Sequence, residues 1–177
     1  EEAVITAGID VGNQGAIVCL DGDKVVLAEV MPLLNVGKGK RNKYLIDMRK
    51  LWETIMDMDP QMVVLEKAQS MPGQGVSSVF NYGVGFGALQ MALIVSGFPH
   101  EIIHPRKWQK VVLDGLPGND TKKRAILKCQ RRLPSLDLTP GKKRKPHEGL
   151  ADAACMALFA QTLVNPHETR LVTVEDE

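Results

Sequence analysis

The sequence predicts an α/β protein in which a mixed β-sheet is covered by helices. Three observations carry that expectation. The chain opens with short β-type runs, "AVITAGIDVG" followed by two more around the turn residues of "DGD", with no helical segment between them. Two later apolar runs, "QMVVLEKAQ" and "HEIIHP", alternate with stretches of helical spacing, and the last third of the chain is helical and basic. At 177 residues, 44% hydrophobic and 24% charged, the chain is sized and composed for one domain with a substantial core. That domain is expected over 1–164, with the polar tail 165–177 partly disordered.

Taken in order, the first run is a strand ending at Asp10, and "AIVCLDGDKVVLAEV" is a hairpin, which together make three antiparallel strands. A Gly-containing loop covers 35–43. "LIDMRKLWETIMDM" places Ile46, Leu51, Ile55 and Met56 near helical spacing, with Asp47 as N-cap. The fourth strand, "QMVVLEKAQ", ends in Glu66, and an acid at the C-terminal end of a buried strand is where open α/β sheets place their sites. "VSSVFNYGVGFGALQMALIVSGF" is a long helix carrying Gly83, Gly85 and Gly87. Each glycine costs about 1 kcal/mol in a helix relative to Ala, so a close backbone approach, a ligand phosphate or an irregular turn has to account for them. "HEIIHP" is the fifth strand, and Pro105 opens the next helix. Asp120 or Thr121 caps the basic helix "KKRAILKCQRRL". The basic loop "TPGKKRKPHEG" then leads into a final helix over roughly Leu150 to Leu163.

Composition narrows the functions. No apolar run is expected to reach the roughly 20 residues of a membrane span, so no membrane association is expected. Cys19, Cys129 and Cys155 are odd in number and widely spaced, which suggests neither a disulfide framework nor a zinc site and fits a reducing compartment. No targeting segment is visible, and a cytoplasmic or organelle-matrix location, not a secreted one, is expected. The net charge of +1 conceals an asymmetry: the stretch from Arg106 to Lys145 carries +10 and the remainder −9. With Lys38, Lys40, Arg41 and Lys43 in the early loop, this is the footprint of a chain that binds a polyanion such as nucleic acid.

Four carboxylates stand out. Asp10 and Glu66 end strands, while Glu148 and Asp152 lie four residues apart where the last helix begins. Like charges at that spacing repel on a helix by a few tenths of a kcal/mol. A hard divalent cation, which takes oxygen ligands, would hold them together; the alternative is a first-turn acid favoured by the helix dipole beside a solvent-facing Asp152.

"GIDVGNQGAIV", "VVLEKAQ" and "HEGLADAACMALFA", in this order and over residues 5–163, resemble the RuvC-type Holliday-junction resolvases of the ribonuclease H-like superfamily, most of all the variant of phages and plant chloroplasts. The resemblance implies a mixed five-stranded sheet flanked by helices. It implies an endodeoxyribonuclease that resolves four-way DNA junctions by metal-dependent phosphodiester hydrolysis, leaving paired symmetric nicks. Asp10, Glu66 and Asp152 then become catalytic metal ligands. Bacterial members carry two Asp residues three apart on the last helix, whereas position 149 here is Gly, so Glu148 is the fourth ligand and His147 an auxiliary that orients water or contacts the leaving phosphate; a ligand role for His147 is the alternative.

Two Mg²⁺ ions, with Mn²⁺ as substitute, would activate water and stabilise the leaving oxygen. The resemblance further implies a homodimer, no nucleotide cofactor, and DNA contacts from Lys38, Lys40, Arg41, Lys67, Arg106, Lys107, Lys110, Lys122, Lys123, Arg124, Lys142, Lys143, Arg144 and Lys145. Met71, with Phe80 behind it, would stand at the junction centre, although core packing of Phe80 and of Trp108 is the competing expectation. The rival readings are an RNA or RNA–DNA hybrid nuclease of the same superfamily, a catalytically inactive junction-binding protein, and a sugar-kinase or actin-like ATPase, which would need a second phosphate loop the chain lacks.

Overall fold

The computed structural model describes residues 4–40, 42–69 and 73–164. Arg41, Met71 and the tail 165–177 lie outside the described residues, so the expectations placed on them go no further. The early strands form as expected: β1 (Ile5–Asp10), β2 (Ala16–Asp21) and β3 (Lys24–Val30) pair antiparallel in sequence order. Then β6 (Met62–Glu66) joins β1 in parallel and β7 (His100–Ile103) joins β6, giving one five-stranded sheet of order β3-β2-β1-β6-β7.

The loop expected at 35–43 is bordered by two short strands that the sequence reading did not contain. It is the tip of a two-stranded hairpin, β4 (Leu33–Asn35) with β5 (Tyr44–Ile46), closed by the Asn35 carboxamide oxygen, which accepts from Gly37 N at 3.0 Å and Lys43 N at 3.2 Å.

Both faces of the sheet are covered. On one side α1 (Met48–Met58) and α2 (Val76–Ser96) pack with Ala7, Ile9, Val63 and Leu65. Asp47 caps α1 by accepting from Lys50 N, as its position predicts, but Ile46 belongs to β5 and Met56 is exposed, while Thr54 and Met58 take the buried positions. On the other side lie α3 (Pro105–Val112), α4 (Thr121–Arg132) and α5 (Glu148–Val164).

Helix α5 is buried from Gly149 to Ala160 and lies directly on β1. A Cβ on Gly8 would come within 2.0 Å of the Ala153 carbonyl, so the strand accepts the helix backbone only because Gly8 has no side chain. Thr6 completes the contact by donating its hydroxyl to Ala157 O at 3.1 Å.

Helix α2 differs from expectation in one respect. Its 21 residues carry no Asp, Glu, Lys or Arg, and by length and composition it is apolar enough to cross a membrane, contrary to the expectation that no run reaches that length. One face, with Gly85, Leu89 and Leu93, is buried. Cys19, Cys129 and Cys155 are free thiols in the interior.

Candidate active site

The parallel register of β1 with β6 pairs Ile9 with Leu65, so the next residues, Asp10 and Glu66, emerge side by side at the C-terminal edge of the sheet. Period-2 alternation sends Ile9 and Leu65 to the α1–α2 side and their neighbours to the α5 side. There α5, seated on Gly8, supplies Asp152. Three carboxylates from three elements thus face one another.

Their electrostatics follow from that gathering. Burial holds the Asp10 carboxyl well above the ordinary carboxylate range, and the charges of Glu66 and Asp152 add to it while Lys122 opposes. Glu66 is also raised by burial, against a hydrogen bond from Trp108 Nε1 to its Oε2 at 2.8 Å. Asp152 is raised by burial as well, with Lys122 pulling the other way through a direct hydrogen bond to its Oδ2. Desolvation of the charged form is therefore the leading cause at all three acids.

Lys122 and Trp108 are the residues whose roles the sequence did not reveal. Lys122, expected on DNA phosphates, sits in the first turn of α4 with Nζ on Asp152 and 3.9 Å from Glu148 Oε2. Burial pulls its ammonium down, yet Asp152, Asp10 and Glu148 together outweigh this and hold it above the ordinary lysine value. The Asp120 side chain positions it by capping α4, accepting from the backbone N of Lys122 and Lys123. Trp108 is buried as its amphipathic spacing predicts, but its indole N–H reaches Glu66 across 42 residues of sequence. In both cases the only signal in the sequence was a polar tip on a helix bordering an acid-bearing strand.

His147 and Glu148 divide as their positions dictate. His147 caps α5: its Nδ1 accepts from Leu150 N at 3.2 Å, which leaves the ring proton of the neutral imidazole on Nε2. Burial and nearby Lys143 lower its pKa, against Glu148, so the neutral form is favoured. Nε2 is then a donor, suited to a phosphate oxygen or a water. Glu148 lies in the first turn with an exposed side chain. An acid at 149 is sterically barred, because a Cβ there would lie 2.2 Å from Gln14 O.

The other basic residues lie on several elements. Lys67 follows Glu66, Lys38 and Lys40 ride the β4–β5 hairpin, and Lys142, Lys143, Arg144 and Lys145 are exposed in the loop that delivers His147. Arg106 and Lys110 are exposed on α3. Lys107 pairs with Glu101 at 3.6 Å and lies over the Phe159 ring, and Lys123 pairs with Asp120 at 3.9 Å. Arg124 donates to Leu113 O at the end of α3. Phe80 is 70% exposed, which excludes the alternative that it packs in the core.

The donor set has the chemistry of a divalent-cation site: hard carboxylate oxygens whose mutual repulsion and desolvation a cation would relieve, with all three thiols elsewhere in the interior. Among the described residues no three of His, Cys, Asp and Glu converge tightly enough to enclose an ion. Mg²⁺ does not demand such a cage, since it keeps several waters and takes one or two carboxylates with substrate phosphates.

Solved structures share this fold. A structure of Thermus thermophilus RuvC superimposes with a TM-score of 0.56 at 17% identity, over 92% of this chain and 96% of that one. T. thermophilus RuvC in complex with Holliday junction substrate gives 0.58 at 16% identity over the same shares. The yeast mitochondrial Holliday junction resolvase Ydc2 gives 0.52 at 13% identity, over 85% of this chain and 75% of that one. No protein-family model matches the chain, and no curated protein matches it. The fold is thus the α/β ribonuclease H-like class and, within it, the RuvC type.

Proposed function

We propose that the chain is a structure-specific endodeoxyribonuclease that resolves four-way DNA junctions by hydrolysing paired phosphodiesters. The observation that carries this reading is the convergence of Asp10, Glu66 and Asp152 at one sheet edge, on a fold shared with junction resolvases. Asp10, Glu66, Asp152 and Glu148 would hold two Mg²⁺ ions, for which Mn²⁺ substitutes. Bound there, the metal supplies an activated water and a stabilised leaving oxygen. The chain's own groups do the rest. Lys122 offsets the acids' charge and tethers Asp152, Trp108 orients Glu66, and the Nε2–H of His147 donates to a phosphate oxygen. Lys38, Lys40, Lys67 and Lys142 to Lys145 contact backbone phosphates, which position DNA without reading its sequence.

The proposal includes a homodimer. Val76, Phe80, Val84, Met91, Ile94 and Val95 are exposed and recur at three- and four-residue spacings opposite the buried face of α2. Gly83 and Gly87 lie in the same stripe, with open space where a Cβ would be, so a second α2 backbone approaches closely there. A partner copy, and not lipid, covers the stripe, because a two-fold junction needs two sites related by a two-fold axis. Val84→Asp should yield a monomer by sedimentation at micromolar concentration; a wild-type monomer would remove the dimer from the proposal.

The deciding experiment offers labelled four-way junction, linear duplex, RNA–DNA hybrid and flap substrates with Mg²⁺ to wild type and Asp10→Asn. Symmetric nicks on the junction that vanish in the variant are expected. Hybrid cleavage without junction cleavage assigns the chain to RNA-directed nucleases, and junction binding without cleavage makes it an inactive binder.

A further inference from the structure

Tyr82, on α2, is a polar group beside the acids that neither the metal ligands nor the basic loops account for. It lines a cleft of about 420 Å³ whose wall also holds Glu66 and Gly12. Its ring packs, half-buried, with the core on the α1–α2 side, and Cε2 lies 3.4 Å from where a Gly12 Cβ would sit. Gly12, two residues after Asp10, has a φ of 112°, a conformation that favours glycine, so the backbone leaving β1 turns close beside the ring. Burial first, and then the charges of Asp10 and Glu66, push the phenol up to about 12, so both carboxylates lie within electrostatic reach of it and it keeps its proton. No hydrogen bond among the described residues uses that hydroxyl. The other donors at the acids are engaged, Lys122 on Asp152 and the Trp108 indole on Glu66.

We infer that Tyr82 is a catalytic residue whose hydroxyl donates a hydrogen bond to one nonbridging oxygen of the scissile phosphate as negative charge builds there. The inference rests on the junction-nuclease reading and adds a residue to it. Phosphoryl transfer spreads charge over the nonbridging oxygens, and in this site Asp10, Glu66 and Asp152 all repel that charge. A donor already in place offsets it without reorganisation, and a phenol that keeps its proton adds no further negative charge to the acids. Tyr82 comes from α2 and His147 from the start of α5, on opposite faces of the sheet, so the two donors address different oxygens of the phosphate.

Tyr82→Phe removes the hydroxyl and keeps the ring in its packing. Single-turnover nicking of a four-way junction by this variant should slow on the order of 10²-fold, the loss of one preorganised donor, with Tm and junction affinity unchanged. The oxygen is identified by repeating wild type and variant on junctions whose scissile phosphate is an Rp or an Sp phosphorothioate. Sulfur accepts a hydrogen bond poorly, so the loss caused by Tyr82→Phe should nearly vanish on one diastereomer and persist on the other. Any direct effect of sulfur on the metal is common to both proteins and cancels in the cycle. An unchanged rate on the oxygen substrate, or an equal loss on all three substrates, would overturn the hydrogen bond and reduce Tyr82 to a packing residue while leaving junction cleavage standing. Absence of cleavage by wild type on every junction would instead overturn the nuclease reading, and the role of Tyr82 with it.

Discussion

Gly149→Ala separates two physical forces that point in opposite directions. Helix propensity alone favours the alanine by at most about 1 kcal/mol, since Gly149 lies in the first turn of α5. Packing opposes it. The new Cβ would sit 2.2 Å from Gln14 O and 3.1 Å from Gly15 Cα, whereas real Cβ contacts essentially never fall below 3.0 Å. The obstacle is backbone, and its loop has little room to retreat, because a Cβ on Gly15 would itself lie 2.0 Å from Asp10 O. Either α5 or the loop after Asp10 must move by about 0.8 Å or more, the gap between these limits.

An overlap this deep against backbone falls in the upper part of the overpacking range, roughly 2–3 kcal/mol, which leaves a net loss of about 1–2 kcal/mol after the propensity gain. At ~2–4 °C per kcal/mol for a chain of this size, Tm should fall by roughly 2–8 °C. Where α5 is the element that moves, the shift separates Asp152 from Asp10 by nearly 1 Å, a misplacement that costs on the order of 10²-fold in rate. Differential scanning calorimetry and single-turnover junction nicking measure the two effects. A variant as stable as wild type, or more so, would show that the loop gives way freely and that the close packing does not hold the acids in place.

Asp10→Asn should raise Tm of the metal-free protein at neutral pH. Between the ordinary carboxylate range near pH 4 and the raised folded values, the native chain binds more protons than the unfolded one, so wild-type stability falls as pH rises through that window; a flat profile would refute the repulsion. Mg²⁺ should recover that loss in wild type, raising Tm with concentration, and recover less in Asp10→Asn. Lys122→Met should slow nicking by ~10²-fold and cost about 1–2 kcal/mol at pH 8, a buried-pair penalty discounted for the exposure of the lysine; unchanged rates would reduce Lys122 to a surface partner. Trp108→Phe removes the donor that lowers Glu66, so stability should drop by about 2 kcal/mol and the acid limb of the pH–rate profile should move to higher pH; a limb that stays fixed would detach Glu66 from that profile.

The sequence by itself determined the strand and helix order around the site, because each element carries its own local signal. Short β-type runs around turn residues mark β1 to β3, Asp47 and Asp120 cap their helices, and Pro105 opens α3. It also marked Asp10 and Glu66, since an acid ending an apolar strand is visible without any partner. The β4–β5 hairpin escaped notice because three-residue strands flanking a Gly- and Lys-rich tip have too few residues to show a period. Only the tertiary structure decided which cation meets which acid. Lys122 reaches Asp152 over 30 residues and Trp108 reaches Glu66 over 42, through the seating of α3, α4 and α5 on the sheet. The structure also shows why position 149 carries no acid and why His147 turns a donor outward. The first follows from backbone approaching backbone at Gln14, a contact between distant segments that exists only once the chain has packed, and the second from a local cap of the α5 N-terminus, in which the His147 ring accepts from Leu150 N.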